Sequence, residues 1–355
     1  MPQHLRVRES IPSRPETTRF PPFTSRRRCK SHGHDGTGYL RPCLRPRLDL
    51  CLQTMTVQAR VSHSIALLAF IASLACQQIN SDTTILTQTP ELPTTLNGFR
   101  ADTWYLPDDD LLGFVKIPAG PFLMGSDRSL DSQAFDNERW SASAAQGIVE
   151  VEDFYISRSE VTVAQFATFV DRTGTNISDA ALNGKLDHPV TSVSWPDALA
   201  YCRWLQSVLT ASANTPAELQ KLLEDGWRVT LPSEAEWEKA ARGNDSRAYP
   251  WGNNPRPEVA NYNASETRSV GNGICDDCAY NLSDMAGNVW EFTRSQYLPY
   301  PFTDTPQPDL TTDSLFVMRG GSYADGPNLV RTTTRGGADP GVRRPFIGFR
   351  VAITR

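Results

Sequence analysis

Seven cysteines and five histidines are the residues of this 355-residue chain best suited to soft-metal or nucleophilic chemistry, and their placement restricts it. Four of the histidines precede residue 64, leaving His188 alone in the body of the chain. A multi-histidine zinc centre or a His–His relay is therefore excluded there. His188 is followed by Pro189 and reads as a structural loop residue. Cys202 falls on the apolar face of an expected helix and reads as a small buried hydrophobe. Cys275 and Cys278 form a Cys-x-x-Cys in a loop. A local disulfide is the first reading in an exported chain, and a redox or metal pair is the alternative. Two thiols without a nearby histidine do not complete a four-ligand zinc site. No cysteine follows Cys278.

Charge and composition narrow the function classes. Residues 1–54 carry 11 Arg or Lys and four acids, a net of +7, whereas the remainder has 24 basic and 36 acidic residues, a net of −12. An acidic body with scattered basic residues argues against a nucleic-acid partner. Apolar residues at 39%, with eight Trp and 23 Gly, describe a globular, turn-rich chain. Residues 1–54 lack apolar periodicity. They read as a disordered segment, or one translated from an early start codon, in preference to a basic arm or targeting segment. Met55 opens a better start: Arg60 supplies a short positive region, and Ile65 to Ala75 an apolar run too short to span a bilayer. Cys76 follows Ser73-Leu74-Ala75, so residues 55–76 resemble a bacterial lipoprotein signal with lipidation at Cys76, although Ser73 stands where Leu is usual. Ordinary secretion is the alternative. Either way the chain is expected to be exported, as a cell-envelope lipoprotein or a secreted protein, touching membrane only through an N-terminal lipid. Residues 77–102 read as a polar tether and 103–355 as the folded body.

The elements that must position the chemistry start at polar caps. Thr162 to Gln165 is a capping box before Phe166, Phe169 and Val170. Ser194 caps a second helix whose face carries Ala198, Tyr201, Cys202 and Leu205. Thr215-Pro216-Ala217-Glu218 predicts a boxed third helix stopped by Gly226, and Ser233 to Glu236 opens a fourth that ends at Gly243. Phe114 to Ile117, Gly147 to Ile156, Phe316 to Arg319 and Gly348 to Ile353 read as strands. Tyr249 to Asp284 is punctuated by Gly, Pro and Asn without a period, so it is expected to be irregular. The class is α+β with high loop content.

These residues form an ordered series. Ile117-Pro118-Ala119-Gly120, Glu160-Val161-Thr162, His188-Pro189-Val190, Leu231-Pro232-Ser233-Glu234-Ala235-Glu236-Trp237-Glu238, Pro250-Trp251-Gly252-Asn253, Gly287-Asn288-Val289-Trp290-Glu291, Arg319-Gly320-Gly321-Ser322 and Gly348-Phe349-Arg350 occur in this order. The chain thereby resembles the sulfatase-modifying factor family, whose active members are formylglycine-generating enzymes. The resemblance implies a single C-type-lectin-like α+β domain with little regular secondary structure.

Active members of that family are similar in holding Cu(I) on two cysteines soon after the Arg-Gly-Gly-Ser motif, and that copper activates O2 to oxidise a substrate cysteine. Aligned on Ser322, those positions here are Asp325 and Val330. A carboxylate is a hard ligand unsuited to Cu(I), so copper is not expected. The resemblance also implies a structural Ca2+ site with side chains Asp284 and Glu291 and the carbonyls of Gly287 and Val289, oxygen donors of the type Ca2+ takes. Asn261 and the Tyr262 carbonyl match part of a second such site. The expected function is a non-catalytic binding or accessory module for a protein, peptide or glycan. The alternative is a formylglycine-generating oxidase, or another oxidase chemistry on the same scaffold. Iron-dependent sulfoxide synthases carry a similar domain but add a His-rich helical domain, for which this chain has no room.

Overall fold

The computed structural model describes residues 89–272, 275–302 and 314–355. The expected signal segment, Cys76 and the tether up to residue 88 lie outside the described residues. Among the described residues, three of the four α-helices begin where a hydroxyl and a side-chain acceptor three residues on satisfy each other's backbone N–H groups. Helix α1 (Val163–Thr173) is boxed by Thr162 and Gln165, and Gly174 closes it at a φ of 64°. Helix α2 (Trp195–Ala211) is boxed by Ser194 and Asp197. Helix α3 (Ala217–Glu224) departs from expectation: Pro216 is its cap and makes no side-chain cap bond. The Thr215 hydroxyl donates instead to the Leu209 carbonyl of α2, a tertiary bond that outcompetes the local box. Helix α4 (Glu234–Arg242) is boxed by Ser233 and Glu236 and ends at Gly243.

The strands are short. A ribbon pairs β1 (Phe99–Arg100) with β2 (Leu106–Pro107). This pairing, with Leu92 packed on the core, starts the folded body before the expected boundary at residue 103. Strand β3 (Phe114–Ile117) is followed by β4 (Gly120–Met124), β5 (Gly147–Val151) and β6 (Phe154–Ser157). The rest are β7 (Arg228–Thr230), β8 (Trp290–Gln296), β9 (Phe316–Arg319), β10 (Gly336–Ala338), β11 (Ile347–Gly348) and β12 (Ala352–Thr354). One four-stranded sheet runs β3-β6-β12-β7, a second runs β10-β9-β8-β11, and β4-β5 form a ribbon.

Two expected strands are each divided. The stretch from Gly147 to Ile156 splits into β5 and β6 because its halves meet different surroundings. In β5 Ile148 is 76% exposed, as in a ribbon with one open face. In β6 Phe154, Tyr155 and Ile156 are all buried, as in a strand covered on both faces. The stretch from Gly348 to Ile353 splits because the chain changes sheets. Strand β11 runs parallel to β8, and β12 lies antiparallel between β6 and β7. Phe349, Arg350 and Val351 make the crossing, which places Arg350 between the two sheets. No regular element occupies the described part of 249–284 apart from isolated bridges, as expected.

Helices α1 and α2 pack an aromatic cluster against this crossing. Phe166 lies 5.4 Å from Phe169, 6.0 Å from Tyr201 and 6.2 Å from Phe349. Such offset and edge-to-face pairs add to the gain from area burial. Cys202 belongs to this core, 1% exposed, and burial pushes its thiol pKa up, away from reactivity.

Candidate functional site

Strand β9 delivers the chain to the two positions where the resemblance would place metal-binding thiolates. Gly320 and Gly321 follow it at φ values of 94° and 70°, in the left-handed region that glycine tolerates. A Cβ on Gly321 would sit 2.7 Å from both the Leu329 carbonyl oxygen and Val330 Cγ1, so this glycine lets the loop fold back on itself. Ser322 and Asp325 then close a tight turn. Asp325 Oδ2 accepts from Ser322 N at 2.9 Å, from Ser322 Oγ at 2.7 Å and from Trp290 Nε1 at 2.9 Å. Val330 is fully buried, packed with Tyr249, Tyr262, Ala260 and Ala286.

Both positions are therefore consumed by structure. The carboxylate ties the loop to β8, and the valine is core. Among the described cysteines, Cys202 is buried in the helical core and Cys275 is joined to Cys278, their Cα atoms 5.3 Å apart. No thiolate is offered here, and the residues present do not fit Cu(I).

The two carboxylates expected to hold Ca2+, Asp284 and Glu291, are buried, but their oxygens are taken. Asp284 sits at a φ of 57°. Its Oδ1 accepts from Arg268 Nη2 at 2.9 Å and Nε at 3.3 Å, and its Oδ2 from Gly271 N at 3.2 Å. Glu291, on β8, forms a bidentate pair with Arg350, both contacts at 2.6 Å, and accepts from Trp237 Nε1 at 2.7 Å. A Cβ on Gly287 would meet the Asn261 carbonyl oxygen at 2.3 Å, which explains glycine there. That Asn261 carbonyl accepts from Asn288 N at 2.8 Å, and Asn261 Nδ2 donates to Glu266 O and Asn288 Oδ1. The Val289 carbonyl faces Gly320, and Tyr262 is 8% exposed in the small cluster with Val330.

Ca2+ takes six to eight oxygens. Here each carboxylate is already compensated by its own guanidinium, and no metal-holding group of three His, Cys, Asp or Glu exists among the described residues. As arranged, these two carboxylates are not free to take Ca2+. The physical reason is Arg268 and Arg350: both are visible in the sequence, but nothing local marks either as the counter-charge to an acid 16 or 59 residues away.

A third acid stands beside them, marked in the sequence only as part of the Glu160-Val161-Thr162 motif. Glu160, 1% exposed, accepts from Asn288 Nδ2 at 3.0 Å through one oxygen, and its other oxygen has no partner among the described residues. Burial, reinforced by Asp284 and opposed by Arg350, pushes this carboxyl well above its ordinary value. Close by, a small cavity of about 150 Å3 is lined by His188, Thr267, Glu266 and Tyr323. His188 Nδ1 lies 2.9 Å from Thr267 Oγ1, and burial lowers the imidazole pKa. That is consistent with a neutral structural histidine.

The chain is similar to known proteins of one family. Residues 106–355 match the sulfatase-modifying factor enzyme 1-like domain. The chain is 29% identical over 285 residues to a hercynine oxygenase of Mycolicibacterium smegmatis, covering 67% of this chain and 60% of that protein. It is 33% identical over 191 residues to the inactive C-alpha-formylglycine-generating enzyme 2 of Bos taurus, covering 49% of this chain and 52% of that one. These two matches thus span between about half and three-fifths of the relatives' own lengths. A formylglycine-generating enzyme of Streptomyces coelicolor is 27% identical over 309 residues, covering 68% of this chain and 88% of the enzyme. Among solved structures, PvdO from Pseudomonas aeruginosa superposes with a TM-score of 0.55 at 22% identity, covering 68% of this chain and 94% of that one. Treponema denticola variable protein 1 does so at 0.52 and 25% identity, covering 68% and 95%. These likenesses establish the fold.

Proposed function

Because the chain belongs to the sulfatase-modifying factor enzyme 1-like domain family, we propose that it is a non-catalytic member, a binding or accessory module on that scaffold. The observation that carries this reading is the use of Asp325 and Val330. One accepts three hydrogen bonds within its own loop and from Trp290, and the other fills a core. A site that had merely lost its metal would leave room or unpaired polar atoms. This one is closed. The 33% identity to a relative whose own name calls it inactive supports the same reading.

The test uses the whole exported protein, supplied with copper, a reductant and O2, against a cysteine-containing peptide. Mass spectrometry reports the aldehyde, with an active formylglycine-generating enzyme as control. No aldehyde is the expected result. Turnover comparable to the control overturns the reading in favour of the oxidase alternative.

The module is proposed to work outside the cytoplasm, lipid-anchored at Cys76 or secreted. The pairing of Cys275 with Cys278 supports this, since such bonds persist in oxidising compartments. Expression from Met55 with labelled palmitate decides between the two. Label lost on Cys76→Ser supports the anchor. Equal label in both forms refutes it, and an uncleaved chain retained in the cytoplasm refutes export.

A further inference from the structure

Behind the 327–332 loop lies an open groove of about 580 Å3, within the range of ligand-binding clefts. It is lined by Leu130, Asp245, Arg247, Trp251, Asn253 and Asp277, among others. The segment that supplies most of this lining is tied to the closed loop by the residues between Arg247 and Trp251: Tyr249 Oη donates to the Pro327 carbonyl at 3.1 Å, and the Ala248 carbonyl accepts from Thr332 N at 2.8 Å.

The lining is also held in place. The Arg247 guanidinium donates to both Asp245 oxygens at 2.8 and 2.7 Å, and to the carbonyls of Pro250 and Asp277 at 2.8 Å each. Trp251 lies parallel to Tyr249, ring centroids 5.6 Å apart and 8° between planes, and its indole N–H donates to the Asn254 carbonyl at 2.8 Å. Asn253 Oδ1 accepts from Ala248 N at 3.0 Å, so its exposed side-chain amide is fixed while its N–H groups have no protein partner among the described residues. The Asp277 side chain is 71% exposed and, among the described residues, is touched at one oxygen by Arg256 at 3.3 Å.

This set selects a ligand class. The guanidinium is spent on Asp245, so no free cation in the lining greets a phosphate or sulfate, and the carboxylates repel one. A peptide would need a free strand edge or apolar pockets, and the lining offers neither, Leu130 being its single large aliphatic. What remains is a fixed amide, carboxylate oxygens that accept hydroxyl pairs, and a rigid indole suited to aliphatic C–H faces. We propose that this groove binds a neutral carbohydrate chain. The proposal rests on the non-catalytic reading above and gives that module its ligand class and its site.

The experiment titrates the whole exported protein with neutral hexasaccharides of β-1,4-glucose, α-1,4-glucose, mannose and N-acetylglucosamine, and with a sulfated hexasaccharide. Calorimetry and intrinsic tryptophan fluorescence report binding. At least one neutral hexamer is expected to bind, weakened about tenfold or more by Asn253→Ala and by Asp277→Ala, the loss of one or two side-chain hydrogen bonds. Trp251→Ala is expected to abolish the fluorescence response. Because that tryptophan packs beside Tyr249, the two exposed-residue variants, checked for an unchanged melting temperature, are the decisive ones. Binding of no neutral hexamer, binding of the sulfated chain alone, or affinity unmoved by both exposed-residue variants overturns the proposal. Failure here is separable from failure of the non-catalytic reading, which is judged by the aldehyde assay and not by these titrations.

Discussion

The region around α1 and α2 and the described loops between Tyr249 and Arg335 both bury large side chains, and they are filled by opposite means. Around the helices the buried volume is Phe166, Tyr201, Leu205 and Leu209, all at 0% exposure. In and beside the loops the largest buried side chains include Arg319, Arg331, Arg350 and Arg242, at 0 or 1%. Each is paired to a carboxylate: Arg319 to Glu234 and Glu238, Arg331 to Glu138 and Asp131, Arg350 to Glu291, Arg242 to Glu238. The helices satisfy their own backbone, so their side chains are free to be apolar. Loops have no ladder, and their buried carbonyls need donors. Guanidinium carries five. Arg319 donates to the carbonyls of Thr332 and Thr334, and Arg350 to those of Ser157, Arg158 and Ser283. Arg335 reaches the carbonyls of Asn137 and Leu298. An irregular chain can thus be packed densely if arginines substitute for the missing ladder.

The most severe test removes one such arginine. Arg319→Leu is expected to cost about 3–5 kcal/mol, the penalty for stranding a buried charge, measured by urea unfolding. A loss under about 1 kcal/mol would show that the network is incidental. The helical region answers to volume instead. Leu205→Ala is expected to cost about 2–5 kcal/mol by cavity formation. The two regions separate on conservative swaps: Leu205→Met should stay below about 1.5 kcal/mol. Arg319→Lys should retain most of the cost of Arg319→Leu, since an ammonium cannot span two acids and two carbonyls at once. Equal tolerance of both swaps would erase the distinction.

A smaller effect appears in acid. Burial pushes the Glu236 carboxyl up, but Arg294, with hydrogen bonds from Ser233 and Thr354, outweighs it and leaves its pKa lowered. A depressed carboxylate contributes stability that is present above the ordinary value of about 4.3 and lost as pH falls through the lowered one. The melting-temperature gap between wild type and Arg294→Met should therefore narrow as pH drops below about 4. A gap constant with pH would refute the assignment. Thr162→Ala, which removes one cap hydroxyl from α1, is expected to cost about 1 kcal/mol. Smallest is the expected response to a chelator. Since guanidinium already compensates Asp284 and Glu291, EDTA should leave the melting temperature unchanged, and a drop restored by Ca2+ would show that Arg268 and Arg350 give way to an ion.

What the sequence made legible divides along the same line. Capping boxes at Thr162, Ser194 and Ser233 are local, and three of four helix starts followed from them. The closed state of the Ser322 turn was half legible: Asp325 and Val330 stood out as the wrong ligands for copper, but not as a hydrogen-bond hub and a core residue. The partners of Glu291 and Asp284 were not legible at all, because a guanidinium reaching between two sheets, as Arg350 does, or across an irregular loop, as Arg268 does, leaves no periodic trace. The strand divisions at Val151 and Phe349 escaped for a related reason. A stretch with strand-forming residues at both ends does not reveal that those ends belong to different sheets, although the charged pair Glu152-Asp153 falls at the first break.

The crossing at Phe349, Arg350 and Val351 has a consequence for when the molecule can fold. Strand β11 completes one sheet and β12 sits in the middle of the other, and Arg350 between them reaches Glu291 on β8. During synthesis, everything from β3 to β10 is made before the segment that joins them, so neither sheet has its full set of strands until residues 347–354 emerge. Until then the two sheets lack the segment that joins them.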